Sequence, residues 1–366
     1  MENLSTEIGD GIHATPLYDD NGTYYFVNGN NISEYGITIT PTTQRVTEAE
    51  AYRNNANILC SETILLSING TIGNVALYKG EPIMLGKSAC YINVSTKVNK
   101  HFIFHHLMMP KCQFYFTSEL TGTTIKNLSL KSVRRTKVSL PNLKEQNRIA
   151  QLFDAINERI ATQNKIIDKL QSLIKGIVDS TISCKPKNST IGNVCSVSEQ
   201  IKAVPNLDDI ITVRLHGKGV CKSSVENLQL GATQYYHRKA GQLIYGKQNF
   251  HNGAIGIVPE NLNNAITSKD IPSFDIKSSK CNPLYLLIQL QSPHYYKPAE
   301  SLTTGTGSKR LKEETFLKMP IFLPDKERQD AIAILISSIM MKLNQADKTL
   351  NLLIKQKQYL LRQMFI

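Results

Sequence analysis

The chain has 366 residues, 41% of them apolar and 20% charged, and a net charge of +12. This is globular composition with room for two or three domains, and it excludes a disordered or fibrous chain. No run approaches the ~18 apolar residues of a membrane span, and Met1-Glu2-Asn3 is a polar start, so neither a span nor a secretory signal is expected. Seven scattered cysteines (60, 90, 112, 184, 195, 221 and 281) form no Cys-x-x-Cys pair. That pattern fits reduced thiols and a cytoplasmic location better than a disulfide framework or a zinc knuckle. The positive balance points to a polyanionic partner. It is uneven, with 18 cationic and 16 acidic side chains up to residue 183, and 24 and 14 beyond it.

Residues 1–141 mix short β-rich runs with Gly, Asn and Pro punctuation. Thr63–Ser67 and Asn74–Tyr78 read as strands on either side of the turn-forming Ile68-Asn69-Gly70-Thr71-Ile72-Gly73. Gly80-Glu81-Pro82-Ile83-Met84-Leu85-Gly86-Lys87-Ser88 imitates a phosphate-binding loop, but five residues separate its glycines where that motif needs four. A β-turn with a surface lysine is expected there instead. His101–Leu107 reads as a buried helix. Its His105-His106 pair lacks carboxylates or thiols at ligand spacing, which predicts a core or interface role. A basic cluster of Lys126, Lys131, Arg134, Arg135 and Lys137 follows Thr121-Gly122-Thr123.

Pro141 sits where a helix can begin but not continue. Over 142–183, apolar residues then step mostly by threes and fours: Ile149, Leu152, Ile156, Ile160, Ile167, Leu170, Ile174 and Ile177. Residues 184–323 return to the earlier mixture, with strands expected at Gln242–Tyr245 and Ala254–Val258 and a buried helix at Tyr285–Gln289. A second long helix is expected over 324–366, with its stripe at Ile332, Leu335, Ile339, Leu343, Ala346, Leu350, Leu353, Leu360 and Met364. Both stripes have the spacing of a coiled-coil seam, interrupted at Gln163 and Lys357. A helix of ~38 residues spans about 57 Å and outruns its own domain, so the expected partner of each long helix is the other.

The two halves are copies. At an offset of 183, Thr121-Gly122-Thr123 falls on Thr304-Gly305-Thr306, Lys126 on Lys309 and Leu128 on Leu311. The same offset carries Leu140-Pro141 onto Leu323-Pro324, Gln146 onto Gln329, Ile149-Ala150 onto Ile332-Ala333, and the seam positions onto one another. The chain is two tandem copies of one unit, a mixed domain followed by a long helix. No Gly-x-Ser-x-Gly, His-Glu-x-x-His or Asn-Pro-Pro-Tyr segment occurs, and Pro324-Asp325-Lys326-Glu327 opens a helix whose dipole favours acidic residues. No catalytic residue and no metal ligand is expected.

Several segments carry a family resemblance: Leu140-Pro141-Asn142-Leu143-Lys144-Glu145-Gln146-Asn147-Arg148-Ile149-Ala150, the Thr-Gly-Thr segment before it, Gly11-x-His13-x-x-Pro16 and Gly70-Thr71-Ile72-Gly73. Together, and repeated, they resemble the specificity (S) subunit of type I restriction-modification systems. The second helix start, Asp325-Lys326-Glu327-Arg328-Gln329, keeps only the glutamine of the Glu145-Gln146 pair. The resemblance implies an α+β chain with two tandem target-recognition domains of mixed α/β structure, at 1–141 and 184–323. Each is followed by a long helix, at 142–183 and 324–366, and the two helices form an antiparallel coiled coil. It implies a non-catalytic subunit of a type I restriction endonuclease/adenine methyltransferase complex, reading a split sequence in double-stranded DNA. Two methyltransferase subunits would dock on the helices, through seam residues Ile149, Leu152, Ile156, Ile160, Leu170, Ile332, Leu335, Ile339, Leu343, Leu350 and Leu353. Restriction/translocase subunits would join them. S-adenosylmethionine, ATP and Mg would belong to those partners and no cofactor to this chain. The alternatives are a duplicated coiled-coil adaptor binding proteins rather than DNA, and a recognition part of a fused restriction-methylation enzyme.

The candidate DNA-binding residues follow from chemistry. Small hydroxyl residues beside cations suit phosphates: Thr121, Thr123, Lys126, Arg134 and Arg135, then Thr304, Thr306, Lys309, Arg310 and Lys312. Polar side chains in turns suit base edges: Asn69 and Thr71, then Lys247, Gln248, His251 and Asn252.

Overall fold

The computed structural model describes residues 1–54, 56–122, 126–223, 233–305 and 308–364. Thr123 and Thr306 lie outside the described residues. The chain divides into two compact units, residues 1–166 with 346–366, and residues 167–345. Each unit holds one mixed α/β domain and a stretch of both long helices.

In the first unit, β1 (Ser5–Asp10), β4 (Thr63–Ser67), β5 (Val75–Leu77) and β7 (Ala89–Val94) form an antiparallel sheet in the order β1-β7-β4-β5. A smaller sheet has β2 (Tyr24–Val27) between β3 (Arg45–Val46) and β6 (Ile83–Leu85). The central strands β4 and β7 are buried on both faces. Their side chains alternate, so each strand feeds two cores. Ile64, Leu66, Cys90 and Ile92 point into a helix-covered core with Phe102, Ile103 and Phe116. Leu65, Ala89 and Tyr91 meet Val27, Ile83 and Leu85 of the smaller sheet. Apolar residues in an unbroken run, as at Ile64-Leu65-Leu66, are what a doubly covered strand needs. The helix α1 (Lys100–Met108) lies in the first core, and its N-cap is Asn99, whose side chain accepts from the Phe102 amide at 2.9 Å.

The second unit repeats this plan. Strands β10 (Cys195–Val197), β13 (Leu243–Tyr245), β14 (Ile255–Ile257) and β16 (Ser273–Ile276) form an antiparallel sheet in the order β10-β16-β13-β14. The smaller sheet is β11 (Lys202–Ala203), β12 (Tyr235–His237) and β15 (Ile266–Ser268). The two smaller sheets differ: β2 and β6 run parallel, whereas both pairings in the second copy are antiparallel. Helix α4 (Pro283–Leu290) takes the place of α1, with Asn282 as N-cap and Pro283 in the first turn.

The long helices are α3 (Leu143–Val178) and α6 (Lys326–Gln363). They run antiparallel, and the register can be read separately inside each unit. In the first, Ile149 and Phe153 share a core with Leu361, Ile156 and Ile160 pack on Leu353, and Gln163 reaches Ala346. In the second, Ile174 and Val178 share a core with Ile332 and Ile336. Among the described residues no helix is long and apolar enough to cross a membrane.

Two expected seam positions need correcting. Leu152 and Leu335 are 39% and 49% exposed, while Phe153 and Ile336 are fully buried in their place. The buried stripe steps 149, 153, 156, 160 and 332, 336, 339; a residue one position back from 153 or 336 is turned away by about 100°. Leu170, Leu343 and Leu350 are half-buried, and Ile339 is buried.

Candidate nucleic-acid interface

The start of each long helix is tied to its domain by the same set of bonds. Asn142 and Asp325 are equivalent caps, accepting from the Glu145 amide at 3.0 Å and the Arg328 amide at 2.8 Å. Gln146 accepts from the Asn99 amide at 3.0 Å and donates to the Pro141 carbonyl at 2.8 Å. Gln329 accepts from the Asn282 amide at 2.9 Å and donates to the Pro324 carbonyl at 2.9 Å. Asn99 and Asn282 also donate to Asn147 and Asp330, each at 2.7 Å. Both glutamines are buried. Both amides are used as acceptor and donor, and Gln329 donates to the Lys280 carbonyl as well, at 3.3 Å, which explains why this glutamine stands in both copies. Glu145 faces solvent, with Arg148 3.6 Å away, so its loss in the second copy costs no buried bond.

On the first domain, residues that are distant in sequence converge on one edge. Strands β8 (Leu120–Thr121) and β9 (Asn127–Leu128) pair, placing Thr121 opposite Asn127. The Leu128 amide then donates to the Ile68 carbonyl at 2.9 Å, and Asn69 bridges to Asn127. The β4–β5 turn and the Thr-Gly-Thr hairpin are therefore neighbours. Gly70 and Gly73, at φ +71° and +91°, make that turn possible. Asn69, Thr121 and Lys126 stand on this edge. The Thr71 hydroxyl is engaged inward, donating to the Gly29 carbonyl at 2.8 Å.

The basic cluster beyond the hairpin does not stay together. Helix α2 (Leu130–Arg135) turns Arg134 back onto the domain, where its guanidinium donates to the Ile8 carbonyl at 2.6 Å. This corrects the expectation of a free phosphate-binding group at Arg134. Arg135 and Lys137 line a separate cleft of about 530 Å³ with His106, Met109 and Tyr115. The reason is helical geometry: residues one apart on a helix diverge by about 100°.

The second domain builds the same edge. Thr304 and Arg310 exchange amide–carbonyl bonds at 3.0 and 2.9 Å, and the Leu311 amide donates to the Lys247 carbonyl at 2.9 Å. Lys247, Lys309 and Arg310 each face a carboxylate. Lys247 lies 2.9 Å from Glu313 of α5 (Glu313–Lys318), Lys309 lies 3.7 Å from Glu300, and Arg310 lies 3.4 Å from Asp270. Gln248 is exposed. The Asn252 amide donates to Asn249 at 3.2 Å and meets His251 at 3.3 Å. Behind the edge lies Arg238, fully buried and donating to Thr267, Ser273 and the carbonyls of His237 and Ile271. Burial lowers this guanidinium to about 10 against the pull of Glu313 and Tyr236, which leaves it cationic at neutral pH. A lone arginine in a mixed run carries no periodic signal, and so it was not legible in the sequence.

The His105-His106 pair sits in the core, as its surroundings in the sequence predict. His105 and His101 hold the two carboxylate oxygens of Asp154 at 2.8 and 2.7 Å, tying α1 to α3. His106 lies 3.1 Å from the Lys137 carbonyl. Burial pushes both His105 and His106 below the ordinary histidine range, so neutral imidazoles donate these bonds. At Asp154 burial pulls the other way, but the two histidine bonds prevail and hold the carboxyl well below its usual range. The phosphate-loop imitation resolves as β6 flanked by turns, with Gly80 at φ +93°.

Comparison with known proteins places these features in a wider group. Residues 11–172 match the family described as type I restriction modification DNA specificity domain. The chain is 22% identical over 316 residues to the type I restriction enzyme MjaVIII specificity subunit of Methanocaldococcus jannaschii, covering 78% of this chain and 74% of that one. In fold it resembles the type I restriction-modification S subunit from M. genitalium, with a TM-score of 0.63 at 15% identity, over 100% of this chain and 94% of the other. A second solved chain, from a study of complex assembly and conformational transition of the type I R-M system, aligns with a TM-score of 0.51 at 14% identity. That alignment covers 99% of this chain and 98% of the other.

Proposed function

We propose, from the match of residues 11–172 to the type I restriction modification DNA specificity domain family, that the chain is the specificity subunit of a type I restriction-modification complex. In this reading each mixed α/β domain reads one half of a split DNA sequence. The paired helices α3 and α6 dock two methyltransferase subunits, and restriction/translocase subunits complete the assembly. The chain itself performs no catalysis. S-adenosylmethionine, with ATP and Mg, serves the partners, which flip and methylate an adenine.

One observation carries the reading. The β8–β9 hairpin or its counterpart, and the loop after β4 or β13, are joined by the same amide–carbonyl bond in both copies, at 2.9 Å each. The same polar edge is thus built twice, on two domains that each continue into a long helix through the same glutamine bonds. Two related readers suit a bipartite site, as paired modules elsewhere match paired half-sites.

The test is single-molecule mapping of methylated adenines in cells carrying this chain and its methyltransferase partner. One split motif is expected to be methylated, and its methylation should vanish when only this chain is deleted. Persistence of the same motif without the chain would refute the assignment.

A further inference from the structure

The duplicated edge has a third layer, supplied by the turns before β7 and β16. Ile64 pairs with Leu77 and Ile92 as Leu243 pairs with Ile257 and Phe274. Counting four residues on from Ile64 and Leu243, and four back from Ile92 and Phe274, gives a further matched bond in each copy. The Ile68 amide donates to the Ser88 carbonyl at 3.0 Å, and the Lys247 amide donates to the Asp270 carbonyl at 2.9 Å. The residue before each acceptor is a lysine, Lys87 in one copy and Lys269 in the other. Both are exposed, and neither is in an ion pair among the described residues. Lys87 is the lysine of the phosphate-loop imitation, which the fold places in this turn.

We propose that Lys87 and Lys269 are a matched pair of DNA-phosphate contacts, one in each recognition domain. This rests on the reading of the chain as a DNA specificity subunit and adds a contact to it.

The turns are held rigid from behind by unrelated chemistry. In the first copy the Ser88 hydroxyl donates to Asn28 and accepts from the Gly29 amide, both at 2.8 Å, while the Gly86 amide donates to the Val27 carbonyl at 2.9 Å. In the second, Arg238 donates to Thr267 at 2.7 Å, to Ser273 at 3.2 Å and to the Ile271 carbonyl at 3.1 Å, fixing both sides of the Lys269 turn. All these acceptors are neutral. Burying a guanidinium without a carboxylate bonded to it is costly for folding. A fixed turn is what that cost obtains, and two different braces have kept one turn geometry.

The ligand class follows from what the copies share. The flanking residues have diverged, Gly86 to Ser268 and Ser88 to Asp270, while the lysine stands in both. Base contacts must differ between readers of different half-sites, but a phosphate contact need not. A lysine ammonium, a point charge with three rotatable donors, suits a phosphate oxygen. Retention alone would not select this pair. Lys97 and Lys280 also match at an offset of 183, off the opposite ends of the same strands and beside the Asn99 and Asn282 bonds to the helices. Position distinguishes the two pairs, and this makes Lys97 and Lys280 the control.

The experiment is fluorescence anisotropy of the full chain with two DNA duplexes of unrelated sequence over a NaCl series. In the K87Q/K269Q variant the slope of log K against log salt should shrink by about 1.8 on both duplexes, and by about 0.9 in each single variant. K87R/K269R should restore it, and K97Q/K280Q should keep the unaltered slope. An unchanged slope in K87Q/K269Q beside salt-sensitive binding by the unaltered chain overturns the lysine pair and leaves the specificity-subunit reading standing. An equal loss in K97Q/K280Q overturns it too, by reducing the effect to net charge. A loss on one duplex alone overturns the phosphate assignment. No salt-sensitive binding by the unaltered chain on either duplex overturns both the pair and the DNA reading.

Discussion

Gln146 illustrates how a single residue can be retained for stability inside a motif that looks functional. Its amide satisfies the Asn99 amide on one side and the Pro141 carbonyl on the other, at a buried position. Gln146→Ala leaves both groups unpaired and should cost about 1–3 kcal/mol, read as a lower denaturant midpoint at unchanged slope. Gln329→Ala should behave alike, whereas Glu145→Ala should stay within about 0.5 kcal/mol. Comparable losses for Glu145 and Gln146 would reject the division of labour within the pair. The Asp154 cluster gives a pH dependence at the same scale. His105 and His106 are pushed below their ordinary value of 6.5 by burial, so the unfolded chain binds protons that the folded chain refuses. Stability from these groups is present above that value and falls as pH drops through it. Asp154, held low by its histidines, adds a loss of the same sign at more acid pH, below the ordinary carboxyl value of 3.8. Urea midpoints should therefore decline between neutral pH and about 5, and His106→Asn should flatten that decline. A midpoint that rises on acidification would contradict the neutral state of the buried imidazoles.

At the scale of elements, the long helices show what periodicity can and cannot locate. Steps of three and four identify a buried stripe, and the antiparallel crossing agrees with the resemblance that suggested it. The stripe leaves its phase ambiguous where apolar residues are adjacent, as in Leu152-Phe153 and Leu335-Ile336. The domain resolves this ambiguity, because the first turns of each helix pack on their own sheet-and-helix core as well as on the other helix. Gln163 looked like a flaw in the stripe. Its amide donates to the carbonyl of Ala346 at 3.1 Å, and Ala346 is its own counterpart at the offset of 183. An antiparallel pair of copies must bring some residue against its counterpart, and a small residue facing an amide lets the backbones approach there. Lys357 is likewise buried, with its ammonium bonded to Glu34. Ile160→Ala, in the stripe against Leu353, should cost about 2–4 kcal/mol, while Leu152→Ala should cost less than about 1 kcal/mol. Equal losses in chemical denaturation would restore Leu152 to the seam.

At the scale of the whole chain, the duplication was legible in the sequence because an unbroken offset survives wherever both copies solve the same packing problem, as at Gln146/Gln329 and Leu128/Leu311. The two smaller sheets were not legible, since their strands are two to four residues long and one copy runs a pair parallel where the other does not. Net charge misled in another way. The second copy holds 24 of the 42 cationic side chains, yet three cations at its candidate edge, Lys247, Lys309 and Arg310, have a carboxylate beside them, unlike Lys269, which is in no ion pair among the described residues. A paired cation near the surface gains little from its partner, but it offers a phosphate less net charge than a free one. Neutralising Lys247, Lys309 and Arg310 together should therefore reduce the salt slope of DNA binding by clearly less than the roughly 2.7 expected of three free phosphate contacts. The converse substitutions Asp270→Asn, Glu300→Gln and Glu313→Gln should tighten binding to any duplex, most at low salt, because each releases a cation already aimed at the edge. A full reduction of the slope in the first set, with no tightening in the second, would mean that these carboxylates do not screen the edge. The excess charge of the second copy would then act directly on DNA.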